Sequence, residues 1–396
     1  MILERKMNNM CFFLRYCTHN FDIKSYFCAN NAFMKKPLCT LLFLISAIIV
    51  SGQDLRTAPQ YFTAMFYNCE NAFDTIHDEG KDDYEFLPSG IRHWSRYRFF
   101  QKLKGIGKVI AAADERRVVD LVGLCEVEND TVLTYLTRNT SLARLGYKYV
   151  MTESDDPRGV DVALLYSPFM FHLIGHESIR PDYKGTPTRD ILHATGVTFT
   201  NDTLDVYVVH LPSRQNGYEG ERKGMQVAQG LKQHIDSVMM ARSCPSVIVM
   251  GDFNAEIGEP VLKRSLGAVP AFGKKEQSRE HDAATLYDVV ANRKVESYKY
   301  HGKWSTIDHI LVSGNLLNKE TGGALPSSSA SVQGKCTNIY TDMENSGVYN
   351  HPFLLENDAT YGGIKPFRTF VGWKYNKGFS DHLPVFARFL LKTTSK

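Results

Sequence analysis

The chain has 396 residues, 43% of them hydrophobic, enough apolar material for one large globular domain or two ordinary ones. Its first 52 residues hold six Lys/Arg and two Asp/Glu, which leaves 40 basic against 41 acidic residues, a formal charge of −1, in the remainder. That balance excludes the broad basic surface of a tight duplex binder and confines any nucleic-acid contact to local, salt-sensitive patches.

Met34-Lys35-Lys36 forms a positive n-region, Leu38 to Val50 an apolar h-region, and Ser51-Gly52 a pair of small residues before Gln53. Together they read as a secretory signal. The expectation is a leader over residues 1–52 with translation starting at Met34, then a single domain over 53–396, secreted or periplasmic. An uncleaved membrane anchor is the alternative, although the apolar run is short for a bilayer span. No Cys closely follows the h-region, which argues against lipoprotein attachment. Four cysteines remain after the leader: Cys69, Cys125, Cys244 and Cys336. Oxidised, they allow three pairings. Cys69 and Cys125 end predicted core strands, where a buried free thiol is expected.

The first predicted strand, Phe62 to Asn68, runs into Tyr67-Asn68-Cys69-Glu70-Asn71. Arg96 to Ala113 repeats Phe99, Leu103, Ile106 and Ile110 at helical spacing and predicts an amphipathic helix whose Lys and Arg form a solvated face. Val118 to Leu124 is a second strand, ending at Cys125-Glu126 with Glu128 two residues on. Val160 to Tyr166 and Phe171 to Ile179 are the next pair. Ile191 to Thr200 and Leu204 to Val209 follow, joined by the turn Asn201-Asp202, and the second delivers His210 and then Leu211-Pro212-Ser213-Arg214. Glu219 to Met240 reads as a long helix. Val247 to Met250 is a continuous apolar run closed by Gly251, the pattern of a central strand buried on both faces. Gly251 is expected to turn the chain, so that Asp252 and Asn254 leave its carboxyl end side by side. Thr306 to Val312 carries Ile307-Asp308-His309 near its start, Asn315 to Asn357 reads as an irregular insertion, and Gly378 to Pro384 precedes a closing strand, Val385 to Leu391.

Each polar strand end has an ordinary explanation taken singly: an Asx turn at Asp252, a surface carboxylate at Glu126, a structural imidazole at His210, surface charge at Arg214. Taken together they do not. Four strands finish at Asn68, Glu126, His210 and Asp252 with Asn254, and two begin at Asp308 and at Asp381 with His382. If the last two run antiparallel to the rest, all six sets share one edge, and one site explains them more simply than six separate satisfied polar groups. Oxygen ligands from Asn and carboxylates suit Mg²⁺ or Mn²⁺, His and Asn donors suit phosphate oxygens, and the lack of a Cys/His ligand cluster disfavours zinc.

On Tyr67-Asn68, Leu124-Cys125-Glu126, Val209-His210, Gly251-Asp252-Phe253-Asn254, Ile307-Asp308-His309 and Ser380-Asp381-His382-Leu383-Pro384, the chain resembles the endonuclease/exonuclease/phosphatase superfamily, related to DNase I, from about Phe62 to Leu391. The resemblance implies an α/β four-layer sandwich of two packed mixed β-sheets with helices outside. It implies Asn68 and Glu126 as metal ligands, with Asp381 near a second ion. It implies Asp252 as the group that orients or deprotonates the attacking water, Asn254 as its holder or a phosphate contact, and His382 on the scissile phosphate with Asp308 orienting its ring. His210 is expected to contact phosphate or act as general acid, and Arg214 to bind phosphate. The function so implied is a metal-dependent phosphodiesterase, an endonuclease first, acting on nucleic acid or another phosphodiester as a monomer without a stable protein partner. The alternatives are a phosphomonoesterase, a phospholipid diesterase, or a non-catalytic binding module.

Overall fold

The computed structural model describes residues 60–114, 117–183, 185–213, 217–272, 281–317, 336–342 and 344–391. The leader expected over residues 1–52 lies outside them. Among the described residues no helix is long and apolar enough to cross a membrane.

In chain order the strands are β1 Gln60–Ala72, β2 Leu121–Val127, β3 Lys148–Met151, β4 Asp161–Tyr166, β5 Phe171–Ile179, β6 Ile191–Thr198, β7 Thr203–His210, β8 Val247–Asp252, β9 Val269–Pro270, β10 Leu286–Asp288, β11 Tyr298–Tyr300, β12 Lys303–Ser305 and β13 Asp308–Ser313. Then come β14 Ile339–Tyr340, β15 Ser346–Val348, β16 Leu355–Asn357, β17 Ile364–Pro366, β18 Phe370–Val371, β19 Lys374–Tyr375 and β20 Val385–Leu391. One mixed sheet has the order β14-β20-β1-β2-β4-β3, with β15 also on β20, and the other the order β5-β6-β7-β8-β13-β10-β9.

Strand periodicity makes the layers. Phe62, Ala64 and Phe66 of β1 meet Ile248 and Met250 of β8 and Val206 and Val208 of β7 in a core between the two sheets. Met65 and Tyr67, from the opposite face of β1, pack with Phe99, Leu103, Ile106 and Ile110 of the helix Arg96–Ala112. Tyr207, Val209, Val247 and Val249 pack with Val227, Leu231 and Ile235 of the helix Tyr218–Ala241. Helix, sheet, sheet and helix are thus the four layers expected. The sheets approach closely where Met250 lies over Gly123: a Cβ there would sit 2.6 Å from the Met250 sulfur.

Several expectations need correction. Gly251 does not turn the chain. It lies within β8, and a Cβ on it would be 2.3 Å from the backbone oxygen of Val209, so its role is to let β7 and β8 approach. Lys102 is buried rather than solvated: its ammonium donates to Thr369 Oγ1 and to Phe379 O at 2.7 Å, and sits 3.9 Å from Glu70. The second strand starts at Leu121, not Val118, because Asp120 closes its own pairing with Thr63 through both backbone and carboxylate. The insertion is not wholly irregular, since β14 and β15 add to β20. Its residues 318–335 lie outside the described residues. The helix Asp130–Asn139, capped by Asn129, was not foreseen. Cys69 and Cys125 are buried free thiols, as expected, and Cys244 pairs with Cys336.

Candidate active site

Sheet register assembles the polar strand ends. Parallel pairing sets His210 on β7 opposite Asp252 on β8, and antiparallel pairing sets Asp308 on β13 opposite the same Asp252. In the other sheet β1 and β2 are parallel, with Asn68 opposite Cys125, and β20 is antiparallel to β1, which brings Asp381 and His382 to the same edge. The antiparallel condition on which the single-site reading depended is therefore met.

Local backbone irregularity aims the ligand-type side chains. Glu126 is the extra residue of a bulge between Cys125 and Val127, and register also slips between Asn68 and Ala72. Glu70, Asn71, Glu126 and Asn254 all have left-handed φ, at 47°, 60°, 56° and 50°. Such positions cost about 1–3 kcal/mol each for non-glycine residues and cluster where a site over-determines them.

Asp252 Oδ2 is the hub. It accepts from Asn68 Nδ2 at 3.1 Å and faces His210 Nε2 at 3.8 Å and His382 Nε2 at 3.9 Å. His210 Nε2 lies 3.9 Å from Glu126 Oε1, and His382 Nε2 lies 3.9 Å from Asp381 Oδ1. His382 Nδ1 is bonded to Asp308 Oδ2 at 2.8 Å, and Ser297 donates to that oxygen at 2.6 Å. Asn254 is set beside Asp252 by its backbone N–H on Asp252 Oδ1 at 2.9 Å, and its amide nitrogen donates to Leu211 O at 3.0 Å. Arg214 lies outside the described residues.

The charges follow from burial and proximity. Burial first, then the neighbouring Asp308, pushes the Asp252 carboxyl up to about 7. Burial draws His382 down, but Asp308, in charge and in hydrogen bond, outweighs it and holds the imidazolium well above the usual range. His210 is held well below it, by burial and by the cations Arg189, Arg158 and His382, so it is neutral at pH 7. The row thus presents a neutral imidazole, a carboxyl poised near neutrality and an imidazolium. His210 Nδ1 and Asp308 Oδ1 are buried without a hydrogen-bond partner.

The oxygens of Glu126, Asp381 and Asn68 are of the hard type that suits a divalent cation. Glu126 Oε2 accepts from Asn71 N at 2.9 Å, whereas the nearest donor groups to Oε1 are the Arg158 guanidinium at 3.7 Å and the neutral His210 Nε2 at 3.9 Å, too far for hydrogen bonds. Asp381 Oδ2 is bonded to Arg368 at 2.8 Å while Oδ1 is 3.9 Å from His382. Asn68 Oδ1 accepts one bond, from Glu70 N at 2.8 Å. Two tighter groupings, Cys125 with His210 and Asp252, and Asp252 with Asp308 and His382, also occur. They suit a cation less, because burial holds Cys125 as a thiol and His382 is committed to Asp308.

Some residues of the site were not foreseen. Arg189 is buried and donates to His210 O, Leu211 O and Asp156, so it fixes the backbone that carries His210. Arg368 bridges Glu70 and Asp381, and Thr369 N donates to Glu70 at 2.6 Å. Tyr298 stacks near His382, ring centres 4.6 Å apart. Arg189, Arg368, Thr369 and Tyr298 belong to loops or a three-residue strand with no local pattern, whereas Glu70 lies in β1 beside Asn68.

A carboxylate hub between two imidazoles, with further carboxylate and amide oxygens beside it, is an arrangement that can serve general-base and phosphate-binding chemistry. The chain belongs to the Endonuclease/Exonuclease/phosphatase family, whose profile matches residues 63–391 and whose members are phosphoester hydrolases. No curated protein matches the chain. Among solved structures it is similar to an endonuclease/exonuclease/phosphatase family protein from Bacteroides thetaiotaomicron, at 14% identity and TM-score 0.50, covering 85% of this chain and 100% of that one. This likeness supports the DNase I-like fold. It is also similar to a mannosyl-6-phosphatase from the same organism (15%, TM-score 0.49, 83% and 100% covered) and to the human Nocturnin catalytic domain with bound sulfate (18%, TM-score 0.47, 85% and 97% covered).

Proposed function

We propose that the protein is a secreted, divalent-metal-dependent phosphodiesterase, and within that class an endonuclease. The observation that carries the reading is the hub at Asp252 Oδ2, with Asn68, His210 and His382 all within 3.9 Å of it. Asn68, Glu126 and Asp381 would hold the cation, Mg²⁺ or Mn²⁺. When bound it neutralises charge on the phosphate and lowers the barrier to attack.

The chain's own groups do the rest. Asp252, with a carboxyl near neutrality, is matched to accept a proton from the attacking water at physiological pH. Asn254 holds that water or an adjacent phosphate oxygen. His382, cationic and locked through Nδ1 by Asp308, presents Nε2 to the scissile phosphate and opposes its developing charge. Asp308, itself held by Ser297, keeps that ring in one orientation. His210, neutral and anchored through its carbonyl by Arg189, offers a hydrogen bond to a phosphate oxygen or the leaving group. Arg158 beside Glu126 and Arg368 beside Asp381 flank the row with positive charge, which suits a substrate carrying more than one phosphate. Arg214 is kept as a further phosphate contact.

Hydrolysis assays with the chain from Gln53 test the reading. Metal-dependent cleavage of DNA or RNA supports the endonuclease; cleavage of bis-p-nitrophenyl phosphate without nucleic acid narrows it to another diester. Turnover of the monoester p-nitrophenyl phosphate alone replaces it with the phosphomonoesterase reading.

A further inference from the structure

A second set of donors stands on the helix-covered face of the second sheet. Direct cross-strand pairing sets Glu177 on β5 opposite His193 on β6, and His193 opposite Tyr207 on β7. His234, from the helix Tyr218–Ala241, closes over them. Glu177 Oε1 lies 2.8 Å from His193 Nδ1 and 3.4 Å from His234 Nε2, and the three donor atoms are all within 4.8 Å of one another.

What distinguishes this trio from a casual ion pair is the far side of each ring. His193 Nε2 is bonded to Asp205 Oδ1 at 3.1 Å, and that carboxylate is itself fixed by Arg242 at 2.9 Å and Thr195 at 2.6 Å. His234 Nδ1 is bonded to the Tyr207 hydroxyl at 2.9 Å. With its Nε2–H given to Asp205, His193 turns a lone pair on Nδ1 toward an acceptor-only carboxylate. A positive particle must lie between them, either a second ring proton or a metal ion. A carboxylate or hydroxyl holding the outer nitrogen of each histidine is the arrangement that fixes tautomer and orientation in metal centres.

We propose that Glu177, His193 Nδ1 and His234 Nε2 form a binding site for a divalent transition-metal ion of the zinc class, separate from the catalytic centre. Two borderline imidazole nitrogens beside one hard carboxylate suit Zn²⁺ over Mg²⁺. Bond lengths of about 2.0–2.2 Å in a tetrahedron place ligand atoms roughly 3.3 Å apart. The two separations from Glu177 Oε1, 2.8 and 3.4 Å, bracket that spacing, and the two ring nitrogens lie within 4.8 Å of each other. Glu177, whose side chain is 55% exposed, can make the small adjustment and leaves the ion a route in from solvent. The ion would clip β5, the edge strand of its sheet, to the helix above it, in the region where an unprotected edge invites mispairing. The site shares no residue with the hub at Asp252, and Tyr207 points away from the intersheet face of β7.

The test is Zn²⁺ binding to the EDTA-stripped chain from Gln53 by calorimetry in excess Mg²⁺, read together with the thermal midpoint. The expected result is one equivalent of Zn²⁺ that raises the midpoint and persists in Asp252→Asn. His234→Ala and Glu177→Gln should each weaken that equivalent at least tenfold and abolish the rise in midpoint, while both retain wild-type Mg²⁺-dependent hydrolysis. Tyr207→Phe, which removes only the outer partner of His234, should weaken it about 10–100-fold. Absence of Zn²⁺ binding in the wild type, or binding unchanged by His234→Ala, overturns the proposal.

Discussion

Replacing Asp252 with Asn removes the proposed base and should stabilise the metal-free fold at alkaline pH. The carboxyl is 2% exposed, and burial with the nearby Asp308 raises it from 3.8 to about 7. A carboxyl raised on folding contributes stability that is fully present below its unfolded value and is lost as pH rises to its folded value. At 1.36 kcal/mol per tenfold, the loss is about 4 kcal/mol between pH 3.8 and 7, of which about 3 kcal/mol falls between pH 5 and 7. Asn has no such ionisation. It keeps the oxygen that accepts from Asn254 N but turns an amide toward Asn68 Nδ2, a constant cost of about 1–3 kcal/mol. The assay is urea unfolding of both proteins in EDTA at pH 5 and pH 8.5. The advantage of D252N over wild type should grow by about 3 kcal/mol between those pH values, and catalysis should be lost. A stability difference that does not change with pH would refute the buried-carboxyl argument.

Asp308→Asn should lower turnover by about 10²–10⁴-fold and bring the His382 titration, followed by NMR, down toward its ordinary value of about 6.5. In the wild type the same ion pair should stabilise the fold fully below about pH 6.5 and progressively less as pH rises through the raised His382 value. Gly251→Ala should cost about 1–3 kcal/mol, seen as a lower thermal midpoint, because its methyl meets Val209 O at 2.3 Å. Reducing Cys244–Cys336, a link across 92 residues, should cost about 4–5 kcal/mol by chain entropy and shift the urea midpoint accordingly. Arg189→Met should reduce turnover with the fold retained by circular dichroism, because it frees the carbonyls of His210 and Leu211.

The strands that frame the site were legible because each announced itself by an uninterrupted apolar run or by alternation, and β20 was read to the residue. The carboxyl-end polar groups stood out against those runs, and antiparallel geometry did the rest. Three kinds of feature stayed hidden. Short strands such as β11 and β14 have too few residues to show a period. The bulge at Glu126 leaves no mark in sequence beyond the residue itself. Buried cations such as Lys102 and Arg189 look like surface charge, because their partners lie in distant segments: Thr369 and Phe379 for one, His210 and Asp156 for the other. The histidines of the second donor set were invisible for the same reason. Residues 177, 193 and 234 have no ligand spacing and meet only through sheet register and one helix.

The most direct test of the hub at Asp252 is hydrolysis by the chain from Gln53, wild type and His382→Ala, of single- and double-stranded DNA, RNA and bis-p-nitrophenyl phosphate, each with Mg²⁺ and with EDTA. The account predicts cleavage that requires Mg²⁺, returns when Mg²⁺ is restored after EDTA, and is absent in the variant. Cleavage that persists in EDTA, or undiminished in His382→Ala, contradicts it.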